Sequence, residues 1–338
     1  MAINITPTTI QVGNFKFRET DTGIEFTGQA NTAGFSGSKG FQGNISGYTS
    51  GGYRTQSPAD YTNRIDKFPF ASDNNATDVG NLLSYKSGVK GSSSLVSGYS
   101  FAGVVLSPTR TNQIEKFPFS TDTNAKDVGD LTESPSLPQG HSSVTHGYRS
   151  GGTIPAQTDT IDKFPFAVDT NATDVGNLTA IQHGGAGISS ITHGYVGGGA
   201  ESGATGTPIT KLQRFPYATD TNATAVGNLS SARRAGLSGN QSDVDGYATG
   251  GYNGGRINII DKFPFAADSG ITATDVGDLT SARNSPGGQS STVSGYTSGG
   301  YPSGSTDIID KFPFAVDINA ADVGNLTTFR GASSGQQV

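Results

Sequence analysis

Six times the chain writes Gly-Tyr, at Gly47-Tyr48, Gly98-Tyr99, Gly147-Tyr148, Gly194-Tyr195, Gly246-Tyr247 and Gly295-Tyr296, in steps of 47 to 52 residues. Each copy leads to an Ile/Leu-x-Lys/Arg-Phe-Pro-Phe/Tyr phrase, then to an Asx-rich turn and Val-Gly-Asn/Asp-Leu. A period of about 50 marks a repeat architecture, whose units bury their faces only against each other. Composition agrees. The apolar fraction is 33%, too low for one thick core but enough for many thin layers. The 18 Phe and 12 Tyr, most at fixed phase, argue against the disorder that so much Gly, Ser and Asn would otherwise suggest.

The sixth unit shows the expected pattern. Ser290 to Ser294 is small, polar and β-branched, and reads as an inner strand where units crowd together. Gly295 to Gly300 reads as a second strand, Asp307 to Phe312 as a third, Asp317 to Asn319 as an Asx turn, and Val323 to Thr327 as the start of a fourth. Pro69, Pro118, Pro165, Pro216, Pro264 and Pro313 lack an N–H, so each should mark a strand end or a bulge. Four short strands expose two faces and two edges. Stacking six such sheets around a circle hides the faces and protects the edges. The reading is an all-β, six-bladed β-propeller of four-stranded antiparallel blades.

The blades are expected at about 41–82, 92–131, 141–178, 188–229, 240–279 and 289–327, within a propeller spanning 37–330. Unit one takes its inner strand from Phe41 to Ser46, so the termini share no blade, and 331–338 is a tail. The alternative is seven blades, the seventh built from both chain ends, with Asn14 to Phe17 echoing the aromatic phrase and Ser333 to Val338 as inner strand. Residues 1–36 read as a β-hairpin extension, Ile10 to Phe17 and Gly23 to Gly28. A hairpin with no core of its own is marginal, which suggests an assembly arm.

The pattern resembles a kelch-type β-propeller. That likeness rests on the doublets Gly51-Gly52, Gly151-Gly152, Gly198-Gly199, Gly250-Gly251 and Gly299-Gly300, with Ala102-Gly103 departing in unit two, and on Arg233, Arg283 and Arg330, with Lys86 nearby in unit one. The family's Trp is missing, since the chain has none. The phrase Lys-Phe-Pro-Phe-Ala-x-Asp-x-Asn-Ala-Thr-Asp-Val-Gly also resembles repeat proteins of large tailed phages of marine bacteria, the cyanophage kind. That resemblance implies a structural protein of the virion, tail- or capsid-associated, assembled in the host cytoplasm, with other virion structural proteins as partners.

Several function classes are disfavoured. With no Cys there is no disulfide or thiol chemistry. Net charge −6 gives no broad attraction to nucleic acid. Residues 1–20 lack the basic start and apolar core of a secretion signal, and no run is long and apolar enough for membrane insertion. No Ser-His-Asp elbow motif and no phosphate-binding Gly loop is present, so the chain reads as a non-enzyme with no catalytic residues and no cofactor.

Three polar patterns remain. Asp73-Asn75-Asp78, Asp122-Asn124-Asp127, Asp169-Asn171-Asp174 and Asp317-Asn319-Asp322 share the spacing D-x-N-x-x-D, which offers oxygen ligands at short steps for calcium, though without the Gly and Glu of an EF-hand. Hydrogen-bonded turns explain the same pattern. His146 and His193 precede Gly-Tyr in adjacent units and could face one opening, but no third ligand recurs with them to complete a transition-metal site. The doublets Asp66-Lys67, Glu115-Lys116, Asp162-Lys163, Asp261-Lys262 and Asp310-Lys311, with Gln213-Arg214 in unit four, suggest blade-to-blade stitching.

The segments after the second strand vary in length and sequence, and all emerge on one face. Tyr53, Tyr61, Tyr252 and Tyr301 on them are the recognition candidates. The functional reading is a structural protein presenting variable loops for assembly or adhesion. A module binding a host-surface glycan is the first alternative, and an enzyme on a propeller scaffold the second.

Overall fold

A computed structural model describes residues 42–55, 60–105, 109–153, 158–201 and 206–338, and the backbone of strands Ile3–Thr6, Thr9–Val12, Phe15–Thr20 and Gly23–Thr27. The chain forms two units, Met1–Gly37 and Ser38–Val338.

The larger unit is a six-bladed propeller. Blade I comprises Ser334–Gln337, Ser46–Ser50, Arg64–Pro69 and Thr77–Asn81, from the axis outward. Blade II is Lys90–Ser93, Ser97–Phe101, Gln113–Pro118 and Lys126–Asp130. Blade III is Gln139–Ser142, His146–Ser150, Thr160–Pro165 and Thr173–Asn177. Blade IV is Ala186–Ser189, His193–Gly197, Thr207–Pro216 and Thr224–Arg233. Blade V is Ser238–Gln241, Asp245–Thr249, Ile259–Pro264 and Thr274–Asp278. Blade VI is Gly287–Ser290, Ser294–Ser298, Ile308–Pro313 and Ala321–Asn325. Every third strand ends on the proline of its aromatic phrase, where the ladder lacks a donor.

Two sequence expectations are corrected. The run before Gly-Tyr is not the inner strand but a turn: Ser291 Oγ accepts from Val293 N at 3.3 Å and Ser294 N at 2.9 Å. The inner strands lie about four residues earlier, as x-Gly-x-Ser/Gln. Consequently Phe41 to Ser46 does not supply blade I. The C-terminal Ser334–Gln337 does so, pairing Gln336 with Tyr48 and Ser334 with Ser50, so 331–338 is no tail and the last strand of the propeller shares a blade with its first three. Phe41 itself lies outside the described residues.

The smaller unit is also corrected. It is a four-stranded antiparallel meander and not a single hairpin: Thr9–Val12 and Phe15–Thr20 are separate strands, and Ile3–Thr6 adds a fourth. Residues 28–36 of the expected arm lie outside the described residues.

One contact explains the repeated words. In blade I, Gly47 stands opposite Phe68. A Cβ on Gly47 would lie 2.4 Å from the Phe68 ring, and the five equivalent glycines would meet theirs at 2.2 to 2.4 Å. Glycine is there because phenylalanine covers it. The adjacent tyrosine then points across to the next blade. Tyr48, Tyr99, Tyr148, Tyr195, Tyr247 and Tyr296 each meet the first ring of the following phrase at 5.4 to 5.6 Å and its second ring at 4.8 to 5.1 Å. The sixth contact, Tyr296 on Phe68 and Phe70, closes the circle. Such pairs add about 0.5–1.5 kcal/mol beyond area burial, and each buried Phe about 1.5–3 kcal/mol.

The axis is tight. The second residue of each inner strand is glycine: Gly91, Gly140, Gly187, Gly239, Gly288 and Gly335. A Cβ there would come within 2.0 to 2.8 Å of the carbonyl oxygen of the preceding blade's glycine. Two residues on, side chains link the blades. Ser93 N donates to Ser142 Oγ at 2.9 Å, Ser142 N to Ser189 Oγ at 3.0 Å, Gln241 N to Ser290 Oγ at 2.9 Å and Gln337 N to Ser93 Oγ at 3.0 Å.

Gly239→Ala should therefore destabilise the propeller by about 1–3 kcal/mol, since its new methyl would sit 2.0 Å from backbone oxygen Gly187 O. Gly255→Ala, with nothing within 4 Å, should be neutral or slightly stabilising. Urea unfolding of both variants checks the contrast.

Candidate functional site

A functional group on a repeat scaffold has to be separated from the residues that hold the repeat together. Asp66 and Lys67 are neighbours on one strand, so their side chains leave opposite faces and do different work. In all six blades the outer strand slips by one residue opposite the first residue of the doublet or near it, a bulge that fixes its aim.

The first residue of the doublet is buried and paired with a base. Arg330 meets Asp66 at 2.7 Å, Lys86 meets Glu115 at 2.7 Å, Arg233 meets Asp261 at 2.7 Å, and Arg283 meets Asp310. In blade III the linker holds Pro135 where Lys86 stands in blade II, and Arg149 reaches from the second strand instead, 2.8 Å from Asp162 and 3.0 Å from Glu133. In blade IV both charges vanish together: Gln213 donates to Gln182. Acid and base thus change as a unit within one chain. Burial pulls Arg233, Arg283, Arg330 and Lys86 down from their ordinary values, with the paired carboxylate opposing. Burial likewise raises Asp162, and Arg149 opposes it.

The same side chains also hold the preceding blade. Thr327 N donates to Asp66 at 2.8 Å, Leu83 N to Glu115 at 2.8 Å, Thr132 N to Asp162 at 3.2 Å, Thr179 N to Gln213 at 2.8 Å, Ser230 N to Asp261 at 3.0 Å and Thr280 N to Asp310 at 2.9 Å.

The second residue of the doublet accounts for the Asx turns. Lys67 meets Asp122 at 3.1 Å, Lys116 meets Asp169 at 2.9 Å, Lys163 meets Asp220 at 2.8 Å, Arg214 meets Asp268 at 2.7 Å, Lys262 meets Asp317 at 3.1 Å and Lys311 meets Asp73 at 2.9 Å. These pairs are solvated and individually weak. Within the calcium candidates, Asn75, Asn124, Asn171 and Asn319 each accept a backbone N–H of the preceding blade at 2.9 to 3.0 Å. Asp78, Asp127, Asp174 and Asp322 accept from the glycine two residues on in their own strand, at 3.0 to 3.3 Å. The three oxygens of each turn are directed at three different partners, an ammonium or a backbone N–H. Among the described residues no group of three or more His, Cys, Asp or Glu is placed to hold a metal ion.

The histidines are also occupied. His146 and His193 each bond the hydroxyl of the preceding threonine at 2.8 Å. His141 is buried on an inner strand between Ile188 O at 3.2 Å and Ser150 Oγ at 2.9 Å, and burial pushes it down to about 4, so it is neutral near pH 7.

Tyr53, Tyr61 and Tyr301 come together at the seam of blades VI and I. The rings of Tyr53 and Tyr61 are 5.3 Å apart, and Tyr301 Oη donates to Tyr53 O at 3.1 Å. Tyr301 is half-buried, its ring covering Gly331, and burial raises its phenol. Tyr252 is in blade V under Arg234, at 5.8 Å. The central parts of four variable loops (56–59, 106–108, 154–157 and 202–205) lie outside the described residues.

The links between blades, on the same face as those loops, expose Leu83, Tyr85, Ile181 and Phe329. Sequence reasoning passed over them, although they too fall where the repeat varies. A shallow groove of about 610 Å³ lies on blade IV, whose third and fourth strands are lengthened; Ile209, Lys211, Val226 and Gly270 line it, and Lys211 is paired with Glu201.

No protein-family model matches the chain, and no curated protein matches it. The all-β propeller scaffold therefore stands on the repeat and the structure alone.

The buried pairs yield a direct test. Arg283→Gln alone should cost about 3–5 kcal/mol by leaving the Asp310 carboxylate without its partner. The double change Arg283→Gln/Asp310→Gln, which copies the arrangement of blade IV, should recover most of that loss. Equilibrium unfolding of the two single variants and the double variant measures the coupling.

Proposed function

We propose that the protein is a two-faced, non-enzymatic scaffold of a virion, tail- or capsid-associated, that docks through one face and presents its variable loops for adhesion on the other. The observation that carries this reading is a division of labour. The polar residues that repeat are used between or within blades, whereas the segments that vary most in length and sequence are the second-to-third-strand loops, which share one face with the blade links. Tyr85 and Phe329 are exposed on that face and Tyr61 is partly exposed beside Tyr53, which supports a contact surface there.

The opposite face supports docking. In the turn before each second strand an apolar side chain stands at least half exposed: Ile45, Val96, Val144, Ile191, Val244 and Val293. Scattered surface apolar residues need no explanation, but one at this turn in each of six blades makes a ring around the axis. The virion setting is supported by the resemblance of the Lys-Phe-Pro-Phe phrase. Other virion proteins are then the docking partners, and the N-terminal sheet is a further assembly element.

Mass spectrometry of purified particles tests the reading. The protein should be found in them, and Val96→Lys/Val244→Lys/Val293→Lys should be depleted from them by tenfold or more while keeping its melting temperature. Recovery only outside particles would contradict the proposal. Glycan-array binding lost in Tyr61→Ala would assign the loop face to a host-surface sugar.

A further inference from the structure

The inner strands carry a single Lys, Arg, Asp or Glu: Lys90, first residue of blade II's inner strand. Its counterparts are Gln139, Ala186, Ser238, Gly287 and Ser334. Lys90 lines an axial cavity of about 60 Å³, together with Ser93, Ser142, Ser189, Gln241 and Gln337. No carboxylate lines it. The lysines of the Lys-Phe-Pro-Phe phrase all have an aspartate partner; Lys90 has no ion pair or hydrogen bond among the described residues. Burial with no opposing charge pulls its ammonium down to about 8, which leaves it mostly protonated at neutral pH.

The surroundings include donors. Ser93, Ser142 and Ser189 each accept a backbone N–H from a neighbouring blade through Oγ, so each keeps its own O–H proton to give. Size sets the ligand class. A water needs about 10–15 Å³ of such volume, so the cavity holds about four to six water-sized groups. One positive charge matches one negative charge.

We propose that the axial cavity binds a small monoanion of the halide, nitrate or short-carboxylate class, held by the Lys90 ammonium among the hydroxyls of the inner strands. The site is blade-specific, since no other inner strand carries a Lys, Arg, Asp or Glu, and it is independent of the adhesive reading.

Sodium nitrate is the probe, titrated into the full-length protein in a zwitterionic buffer, with sodium gluconate, too large for the cavity, as the ionic-strength control. The expected result is a saturable rise in melting temperature with nitrate alone, and at least tenfold weaker binding by Lys90→Gln, a residue that blade III carries at this place. Equal responses to the two salts, or an unchanged response in Lys90→Gln, overturn the proposal. Should Lys90→Gln not fold, bromide-soaked crystals of the unaltered protein decide. An anomalous peak in the axial cavity beside Lys90 supports the site, and bromide confined to other places overturns it.

Discussion

Everything in the propeller depends on an aromatic hand-off between blades. A phenylalanine on the third strand lies over a glycine on the second, and this flat patch lets the neighbouring tyrosine swing into the following blade. There it meets the next pair of rings. No blade completes its own core. Phe117 and Phe119 belong to blade II, yet they cluster with Tyr48, Ile65 and Leu82 of blade I. A chain with so few apolar residues can fold this way because each ring is shared, and because the sixth hand-off returns to the first blade.

Polar groups follow the same rule at three radii. Glycine backbones and serine hydroxyls join the blades at the axis, buried acid–base pairs join them midway, and lysine–aspartate pairs with asparagine acceptors join them at the rim. The midway ring shows what constrains it. Blade III moves its base to Arg149, and blade IV replaces both charges by Gln182 and Gln213, so the requirement is a satisfied buried donor and acceptor and not charge as such. Repeated polar groups therefore report structure, and function has to be sought in what they leave unused: the loop face, the exposed links, the apolar ring of the opposite face and Lys90.

Much of this was legible in the sequence. The period dictated radial sheets, the prolines marked where third strands end, and the glycine doublets marked a sharp exit: Gly51 and Gly52 take φ of 63° and 120°. The inner strand was misplaced because Ser291-Thr292-Val293 has the composition of a strand, while the serine hydroxyl makes it a turn. Closure was misread for a related reason. Lys39-Gly40-Phe41-Gln42 carries the same x-Gly-x-Gln pattern as Ser334-Gly335-Gln336-Gln337, and pattern alone does not choose between two segments for one place. The N-terminal sheet escaped because strands as short as Ile3–Thr6 and Thr9–Val12 leave little periodicity to read. The Asx turns advertised oxygen ligands, but the partners of the first Asp and of the Asn are on another blade and so invisible to local spacing.

The central claim is that blades are stable only as members of a closed circle. Calorimetric unfolding of the intact chain against a chain lacking 334–338 tests it most directly. The account predicts one cooperative propeller transition in the intact protein and, without the closing strand, a large fall in its midpoint and enthalpy as blade I loses its axial edge and blades VI and II lose a neighbour. A truncated chain that melts at the same temperature with the same enthalpy would contradict it.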